Sequence, residues 1–278
     1  MIKTPLSTVI GGAFWTPGCT VMGGQKTLTQ LIKSLFSLGD QGFAYDPNDL
    51  TTLYQDAAGT IPVTAQGQPV GLMKDKSGRN NHAYQTVSAS RPILQRNATT
   101  GAYYLAFDGA DDFLQTSNID FTSTNKVSLF AGVRKLSDAA RAIVCELGAA
   151  GKNTFLLQAP PSAGSPTVSF NSGATILSGD NVGGVSAPVS LVLTAKSDIA
   201  NDYITIVANN SANTPVISDQ GAGNYGNYPL YIGRRGGTSI PFNGHIYGII
   251  CIGKLVSDSE TTAIEKELAK RLGVTLNV

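Results

Sequence analysis

The chain has 278 residues, a length that suits one large β domain or a domain with a small appendage. Charged residues make up only 14% of the chain and 31 residues are Gly, a composition typical of strands joined by tight turns. The 20 basic and 19 acidic residues give a formal charge of +1, which argues against nucleic acid or an anionic membrane surface as the partner.

Apolar runs and cysteines bear on where the protein is made. No stretch approaches the roughly 20 apolar residues of a membrane helix, and Pro5 interrupts the only candidate for a signal-peptide core. Cys19, Cys145 and Cys251 are too few and too widely spaced for a disulfide framework or a zinc site. We therefore expect free, buried thiols, no membrane insertion, no signal peptide and synthesis in a cytoplasm.

Residues 1–41 are predicted to be an assembly or anchoring segment. Residues 1–27 are rich in Gly, Thr and Pro without a regular period, which predicts an extended arm, and residues 28–38 have helical spacing and end at Gly39. Neither part contains enough apolar surface to fold alone, so both are expected to lie against the main domain or another subunit. The side chains expected to make these contacts are Phe14, Trp15, Leu31, Ile32 and Leu35.

From Gly42 onward the pattern is that of strands and turns. Apolar residues alternate in 127–134 and 189–196, which predicts half-buried strands, whereas 245–253 is apolar on both faces and predicts a central strand packed on two sides. The connections are dense in Gly, Asn, Asp, Ser and Pro. Shorter strands are predicted at 103–107, 143–147, 154–158, 167–170, 203–208 and 230–233.

A helix is predicted to close the chain. Ser257 and Glu260 have the spacing of a capping box, an apolar stripe follows at helical spacing, and Gly273 is suited to the end of the helix. Together these signals predict a mostly β sandwich or jelly roll over residues 42–278 that ends in a helix. The short helix at 28–38 precedes this domain.

Three passages, 72–85 (LMKDKSGRNNHAYQ), 104–116 (YLAFDGADDFLQT) and 230–260, follow the order of turns and strands found in one superfamily. The chain resembles laminin-G-like and concanavalin A-like jelly-roll domains, especially those of tail-associated and other bacteriophage virion proteins. Residues 45–71 are also similar to phage sequences, and the resemblance covers roughly residues 42–275. The resemblance implies a sandwich of two antiparallel sheets. It does not imply one function, because this fold includes lectins, glycosidases and structural modules.

An acidic turn is a weak candidate for a metal site. Asp108, Asp111 and Asp112 place three hard oxygen ligands within five residues, as calcium requires. Asp side chains also accept bonds from backbone N–H groups in tight turns, and we favour that interpretation over a metal. The expectation is therefore no cofactor, with Ca²⁺ as the minority alternative.

The turn at 74–83 is a candidate contact for sugar. Asn80, Asn81 and His82 offer hydrogen-bonding groups, but the same turn occurs in family members with many roles, so an architectural loop is favoured. His82 and His245 are expected to satisfy local hydrogen bonds, since no carboxylate pattern accompanies them.

Two further loops are candidate ligand contacts. Arg234 and Arg235 lie in a Gly-rich segment that leads to no helix, which favours a hairpin turn or an interface over a phosphate site. The segment at 221–231 contains Tyr225, Tyr228 and Tyr231, and tyrosine combines contact area with a polar tip. An adhesive surface and a loop packed on its own sheet are equally consistent with it.

The carboxylates argue against catalysis. Glycoside hydrolysis normally needs two carboxylates across the scissile bond, but Glu146 stands alone in its strand, and Glu260, Glu265 and Glu267 lie on the terminal helix. No nucleophile elbow is present either. We therefore expect a protein that is not an enzyme.

The sequence favours a non-enzymatic structural component of a bacteriophage virion, in a tail, baseplate, fibre or capsid decoration. Its expected partners are other virion proteins and copies of itself, joined through residues 1–41. The alternative is a lectin or receptor-binding protein for a host surface glycan, and a glycan depolymerase is the third hypothesis.

Overall fold

The computed structural model describes residues 26–276 apart from 149, 150 and 212, together with the backbone of 8–10 and 13–15. The α-helices in these residues are α1 (Leu28–Leu35) and α2 (Asp258–Leu272). In chain order the strands are β1 (Thr8–Ile10), β2 (Ala13–Trp15), β3 (Gly42–Tyr45), β4 (Leu53–Tyr54), β5 (Leu72–Met73), β6 (Ala83–Tyr84), β7 (Ile93–Arg96), β8 (Tyr103–Asp108), β9 (Leu114–Asp120), β10 (Lys126–Lys135), β11 (Ile143–Leu147), β12 (Thr154–Gln158), β13 (Val168–Gly173), β14 (Ser178–Val182), β15 (Val189–Asp198), β16 (Tyr203–Ala208), β17 (Val216–Ile217), β18 (Asn227–Ile232) and β19 (Asn243–Ile252).

Two antiparallel sheets form the predicted sandwich. The nine-stranded sheet has the order β14-β13-β12-β11-β18-β9-β6-β5-β4. The eight-stranded sheet has the order β17-β16-β15-β10-β19-β8-β7, with β3 also paired to β19. The sequence prediction of a mostly β, two-sheet jelly roll with a short N-terminal and a C-terminal helix is confirmed. Strands β1 and β2 pair with each other as a separate two-stranded sheet.

The main core fills the space between the two sheets. Alternate residues of each strand face it, as in β10, where Val127, Leu129 and Ala131 are fully buried. From the nine-stranded sheet, Phe155 and Phe170 pack into the same core with ring centroids 6.5 Å apart. Because the main core takes every second residue of a strand, apolar residues alternate along the sequence of these strands.

A second core lies on the outer face of the eight-stranded sheet, beneath α1 and α2. It buries Phe130 of β10 and Val192 of β15, so these strands are covered on both faces and the expectation of half-buried strands was wrong. The doubly apolar β19 is central, as predicted, with Cys251 in the main core and Ile250 in the second.

Helix α1 is held on its own chain by the side chains that were expected to contact a partner or the domain. Leu31, Ile32 and Leu35 are 7%, 2% and 2% exposed and belong to the second core, which leaves them no surface for another subunit. Their assignment to assembly between subunits is therefore corrected. The side chains of Phe14 and Trp15 lie outside the described residues, so their predicted role stays a prediction.

The ends of both helices follow from local chemistry. Thr27 and Gln30 form a capping box at the start of α1, a signal that the sequence reasoning missed, and α1 ends at Leu35 rather than at residue 38. At α2, the predicted cap Ser257 accepts a bond from the backbone of Glu260, and Gly273 ends the helix in the left-handed conformation at φ +70°.

A buried ionic network fastens the end of α2 to the sheet. Asp46, 2% exposed, accepts bonds from both terminal nitrogens of Arg271 at 2.5 and 3.0 Å. Lys76, from the turn at 74–83, lies 3.4 Å from Asp46 and 2.7 Å from Asp49. Asp46, in the loop after β3, therefore joins α2 to the turn at 74–83.

Candidate functional site

A polar groove opens on the outer face of the nine-stranded sheet, across β12, β13 and β14. Because neighbours along a strand face opposite sides, the core position of Leu157 turns Gln158 outward, and that of Phe170 turns Ser169 and Asn171 outward. The groove has a volume of about 520 Å³. We call it the polar groove; its lining residues are Arg141, Gln158, Pro161, Ser165, Thr167, Ser169, Asn171, Gly179, Asp180 and Asn181.

A chain of hydrogen bonds fixes the polar side chains of the groove. The Nε2 of Gln158 donates to Ser169 Oγ at 3.0 Å and to Asn171 Oδ1 at 2.7 Å. Its Oε1 accepts a bond from Arg141 Nε at 2.7 Å. Each side chain is thus oriented before any ligand arrives, and such preorganisation lowers the entropic cost of binding.

Glu146 lies buried beside this network and interacts with two arginines. Its side chain is 0% exposed, and its Oε1 is 3.3 Å from Nη2 of Arg235. Burial raises the pKa of Glu146 to about 7, although the positive charges of Arg235 and Arg141 lower it. Burial and the charge of Arg235 lower the pKa of the Arg141 guanidinium, so the three groups are electrostatically coupled.

The loop after β18 places Arg235 above Glu146. Its backbone N–H donates to Ser239 O at 2.7 Å, and the chain turns through Gly236 and Gly237, both with positive φ. Ile240 also has a positive φ, +53°, which is a strained conformation for a β-branched residue, and its carbonyl accepts a bond from the backbone of Ile143. The loop is therefore tied to β11, the strand that contains Glu146.

Two tyrosines continue the outer face beyond Glu146. Tyr231 lies opposite Glu146 on one side and opposite Gln115 on the other, and Gln115 lies opposite Tyr84. Both tyrosines are half-buried. Directly opposite residues have Cβ atoms about 4.5–5.5 Å apart, so Tyr84, Gln115, Tyr231 and Glu146 form one row across the sheet.

The arginines predicted from the Gly-rich segment have different roles. Arg235 approaches Glu146, whereas Arg234 donates to Thr238 O at 3.1 Å and to Asp111 O at 3.5 Å. Arg234 therefore ties its own loop to the acidic turn. Within the predicted pair, only Arg235 contacts Glu146 beside the groove, and neither arginine lines the groove itself.

The other predicted contacts at 80–82 serve the architecture of the turn, as favoured. Asn81 donates to Gly42 O at 2.7 Å and to Gln41 Oε1 at 3.0 Å, and His82 Nδ1 accepts a bond from the Asp75 backbone at 3.1 Å. Asn80 is exposed and has a left-handed φ of +62°. None of these contacts involves a residue of the polar groove.

The tyrosine-bearing segment packs on its own domain. Tyr225 is 1% exposed, and its hydroxyl bonds to Ser172 at 2.6 Å and to Ser197 at 3.2 Å, so its assignment as a ligand contact is corrected. Tyr228 is half-buried and packs against the main core. Tyr231, from the same segment, lies on the outer face of the nine-stranded sheet, the face on which the polar groove opens.

The acidic turn has the geometry of a hydrogen-bonded turn. Ligand atoms of Asp108, Asp111 and Asp112 lie within 4.8 Å of one another. However, Asp108 accepts a bond from Ala110 N, Asp112 from Asp108 N, and Asp111 from the hydroxyl of Ser90. Burial, and then the charge of Asp108, raises the pKa of Asp112 to about 6. Calcium binding here stays a minority prediction.

The cysteines and the second histidine are partly as expected. Cys145 and Cys251 are free and buried, and burial raises the pKa of Cys145 to about 12. Cys19 lies outside the described residues. His245 stacks on Tyr104 with ring centroids 4.2 Å apart, but its Nδ1 has no partner among the described residues, so the expectation of a satisfied hydrogen bond does not hold for it.

Sequence reasoning missed Arg141, Gln158 and Asn171 altogether and treated Glu146 only as an isolated acid. A usable signal was the charge of Glu146 inside the apolar strand IVCEL, because such a buried charge needs a cationic partner. The partner Arg235 is brought close by the pairing of β11 with β18, which the sequence did not reveal.

No helix in the described residues is long and apolar enough to span a membrane. No protein-family model and no curated protein sequence matches the chain. Solved structures do resemble it. The botulinum neurotoxin serotype D binding domain has a TM-score of 0.56 and 9% identity over 82% of this chain and 52% of that one.

Two further structures complete the comparison. The serotype D ligand-binding domain in complex with N-acetylneuraminic acid has a TM-score of 0.55 and 9% identity over 85% of this chain and 52% of that one. The CBM40 of Ruminococcus gnavus IT-sialidase, bound to α2,3 sialyllactose, has a TM-score of 0.41 and 18% identity over 55% of this chain and 97% of that one. The chain thus spans about half the length of the neurotoxin domains. At these identities the likeness to them shows a common β-sandwich fold.

Proposed function

We propose that this chain is a non-catalytic carbohydrate-binding module and that the polar groove is its sugar-binding site. The observation that carries the proposal is the fixed bond network from Arg141 through Gln158 to Ser169 and Asn171 in an open groove. Sugars are recognised through many hydroxyl groups, which need donors and acceptors held in fixed directions.

The surroundings of the groove support the same proposal. Tyr84 and Tyr231 lie half-buried on the same outer face, and a tyrosine combines an apolar ring for the C–H face of a sugar with a polar hydroxyl. The resemblance to the neurotoxin serotype D domain is a second support, because that domain was solved with N-acetylneuraminic acid. Each support is independent of the other.

The non-catalytic part of the proposal rests on where the carboxylates point. Asp180, the acidic residue among those that line the groove, lies opposite the core residue Phe170 and accepts a bond from Ile206 N of the other sheet at 2.9 Å. Glu146 is completely buried. This geometry provides no carboxylate pair facing a common ligand in the groove, whereas glycoside hydrolysis normally requires one. Incubation with each bound polysaccharide, followed by a reducing-end assay, tests this directly; released reducing ends would contradict it.

We also propose that the module is displayed on a bacteriophage particle, where the host glycan would be its target. The support is the order of the three family-like passages at 72–85, 104–116 and 230–260. Antibody labelling of purified particles of the phage whose genome encodes this chain tests the location. Surface labelling is expected, and particles that contain none of the protein would contradict the proposal.

A glycan array of bacterial surface polysaccharides tests the binding site. We expect specific binding by the wild-type chain and at least a tenfold loss for Gln158→Ala and for Asn171→Ala, because each removes members of the fixed network. Asn227→Ala is the matched control, since Asn227 is exposed on β18 and does not line the groove. Retained binding by both groove variants, or an array without any binding, would overturn the proposal.

A further inference from the structure

Arg235 lies 3.3 Å from the buried carboxylate of Glu146, and the charge of Arg141, which lines the groove, also acts on that carboxylate. Arg141 uses its Nε for Gln158, and no hydrogen bond joins its terminal nitrogens to any residue that the structure describes. Arg235 has its 3.3 Å contact with Glu146 and is 26% exposed. Guanidinium groups have five N–H donors in a fixed fork, so most donors of this pair remain available.

The charge at this end of the groove is positive. The charges of Arg235 and Arg141 both act on the single carboxylate of Glu146, whose pKa of about 7 leaves it partly protonated at neutral pH. Lys135, which donates a bond to the carbonyl of the groove residue Thr167, is paired with Asp138 at 2.5 Å. Two cations against at most one anion leave a surplus of at least one positive charge.

The opposite end of the groove does not cancel this surplus. Asp180 is on β14, three strands from β11, a distance of about 14 Å at the usual spacing between strands. Its carboxylate is satisfied by Ile206 N, the amide of Asn213 and the backbone of Asn181. The polar groove therefore has a cationic end at Arg141, amide and hydroxyl groups along its middle, and the hydrogen-bonded carboxylate of Asp180 at its far end.

We infer that the polar groove selects saccharides that carry a carboxylate, and that this carboxylate binds between Arg141 and Arg235 while neutral hydroxyls bind along Gln158 and Asn171. The inference rests on the proposed function and narrows its ligand class. A carboxylate matches the planar fork of a guanidinium through two parallel hydrogen bonds, which are stronger than bonds between neutral groups. Glu146 is a positioning residue that holds Arg235 over the site.

Matched acidic and neutral polysaccharides provide the test. The probes are polysialic acid, polygalacturonate and capsular extracts of candidate host bacteria, each presented intact and after chemical reduction of its carboxyl groups to alcohols. We expect the wild-type chain to bind the intact member of at least one pair tenfold or more tightly than the reduced member. Equal or tighter binding to the reduced members would overturn the inference.

Variants connect the preference to the two arginines. Arg141→Gln and Arg235→Gln are each expected to lose the preference for the acidic member, whereas Arg141→Lys retains part of it through charge without the fork. Arg96→Gln is the matched control, because Arg96 is exposed on β7 of the other sheet. Thermal melting of each variant shows that the fold is intact. A preference that survives both Gln variants would contradict the assignment.

The outcomes separate this inference from the function on which it rests. Binding that needs Gln158 and Asn171 but ignores carboxyl reduction would keep the carbohydrate-binding proposal and refute the acidic ligand. A complete absence of binding across intact and reduced probes would refute both.

Discussion

The outer faces of the two sheets differ in what covers them. On the eight-stranded sheet, α1 and α2 bury Phe130, Val192 and Ile250 in a second apolar core. On the nine-stranded sheet, the corresponding face presents Gln158, Ser169 and Asn171 to an open groove. The first face is used for stability and the second is available for contact, although both belong to one sandwich.

The largest expected effect is on the helix-covered face. Leu268 of α2 is 0% exposed in the second core, and Leu268→Ala is expected to reduce the free energy of unfolding by about 3 kcal/mol through lost burial and a cavity. Urea denaturation measures the change. Glycan binding by the folded fraction should be unchanged, and a loss below about 1 kcal/mol would mean that the helix layer contributes little.

Glu146 is expected to give the next largest effect, and it depends on pH. Since burial raises its pKa to about 7 from 4.5, the unfolded chain loses this proton first, and stability declines as pH rises from about 4.5 through 7. Glu146→Gln removes the titration, so it is expected to gain roughly 1–3 kcal/mol on the wild-type chain between pH 4.5 and pH 8. Urea denaturation of both proteins at the two pH values tests this; a constant difference would show that Glu146 does not titrate there.

Tyr225 provides a smaller and sharper test of the corrected assignment. Tyr225→Phe keeps the buried ring but removes the hydroxyl that bonds to Ser172 and Ser197, which is expected to cost about 1–2 kcal/mol. Thermal and urea unfolding measure that loss. Glycan affinity should stay within twofold, and a large fall in affinity with little loss of stability would restore Tyr225 as a ligand contact.

Asn80 is expected to give the smallest effect. Asn80→Ala replaces an exposed residue at a left-handed φ of +62° and should cost about 0.5–1 kcal/mol, because Ala tolerates this conformation less well. Binding should not change. Asn80→Gly is the matched variant that removes the backbone strain, and reduced binding by both variants would place the ligand at the turn instead.

Local patterns predicted the fold well because each depends on neighbours in sequence. The doubly apolar 245–253 became the central β19, and Ser257 and Gly273 mark the ends of α2 as predicted. The same reasoning predicted helix α1 but left its packing surface open, because an apolar stripe has the same appearance whether it packs on its own domain or on a partner. Only the tertiary structure shows that the partner is the chain itself.

The candidate site was largely unpredictable for a related reason. Arg141 and Glu146 belong to one segment, and Arg235 approaches it only because β11 pairs with β18 and the following loop folds back. Loop chemistry did identify Arg235, but it equally identified Arg234, which bonds to its own loop. For Tyr225 the sequence left an adhesive surface and packing on its own sheet equally open, and its assignment as a ligand contact was wrong because the side chain is buried.

Hydrogen exchange with and without a bound polysaccharide tests most directly which face of the sandwich is used. We expect added protection of backbone amides in β12 and β13, over 154–158 and 168–173, and in the loop that contains Arg235. Amides of α2 and of the turn at 74–83 should exchange at unchanged rates. Protection confined to α2 or to that turn, with none in β12 or β13, would contradict the assignment of the polar groove as the binding site.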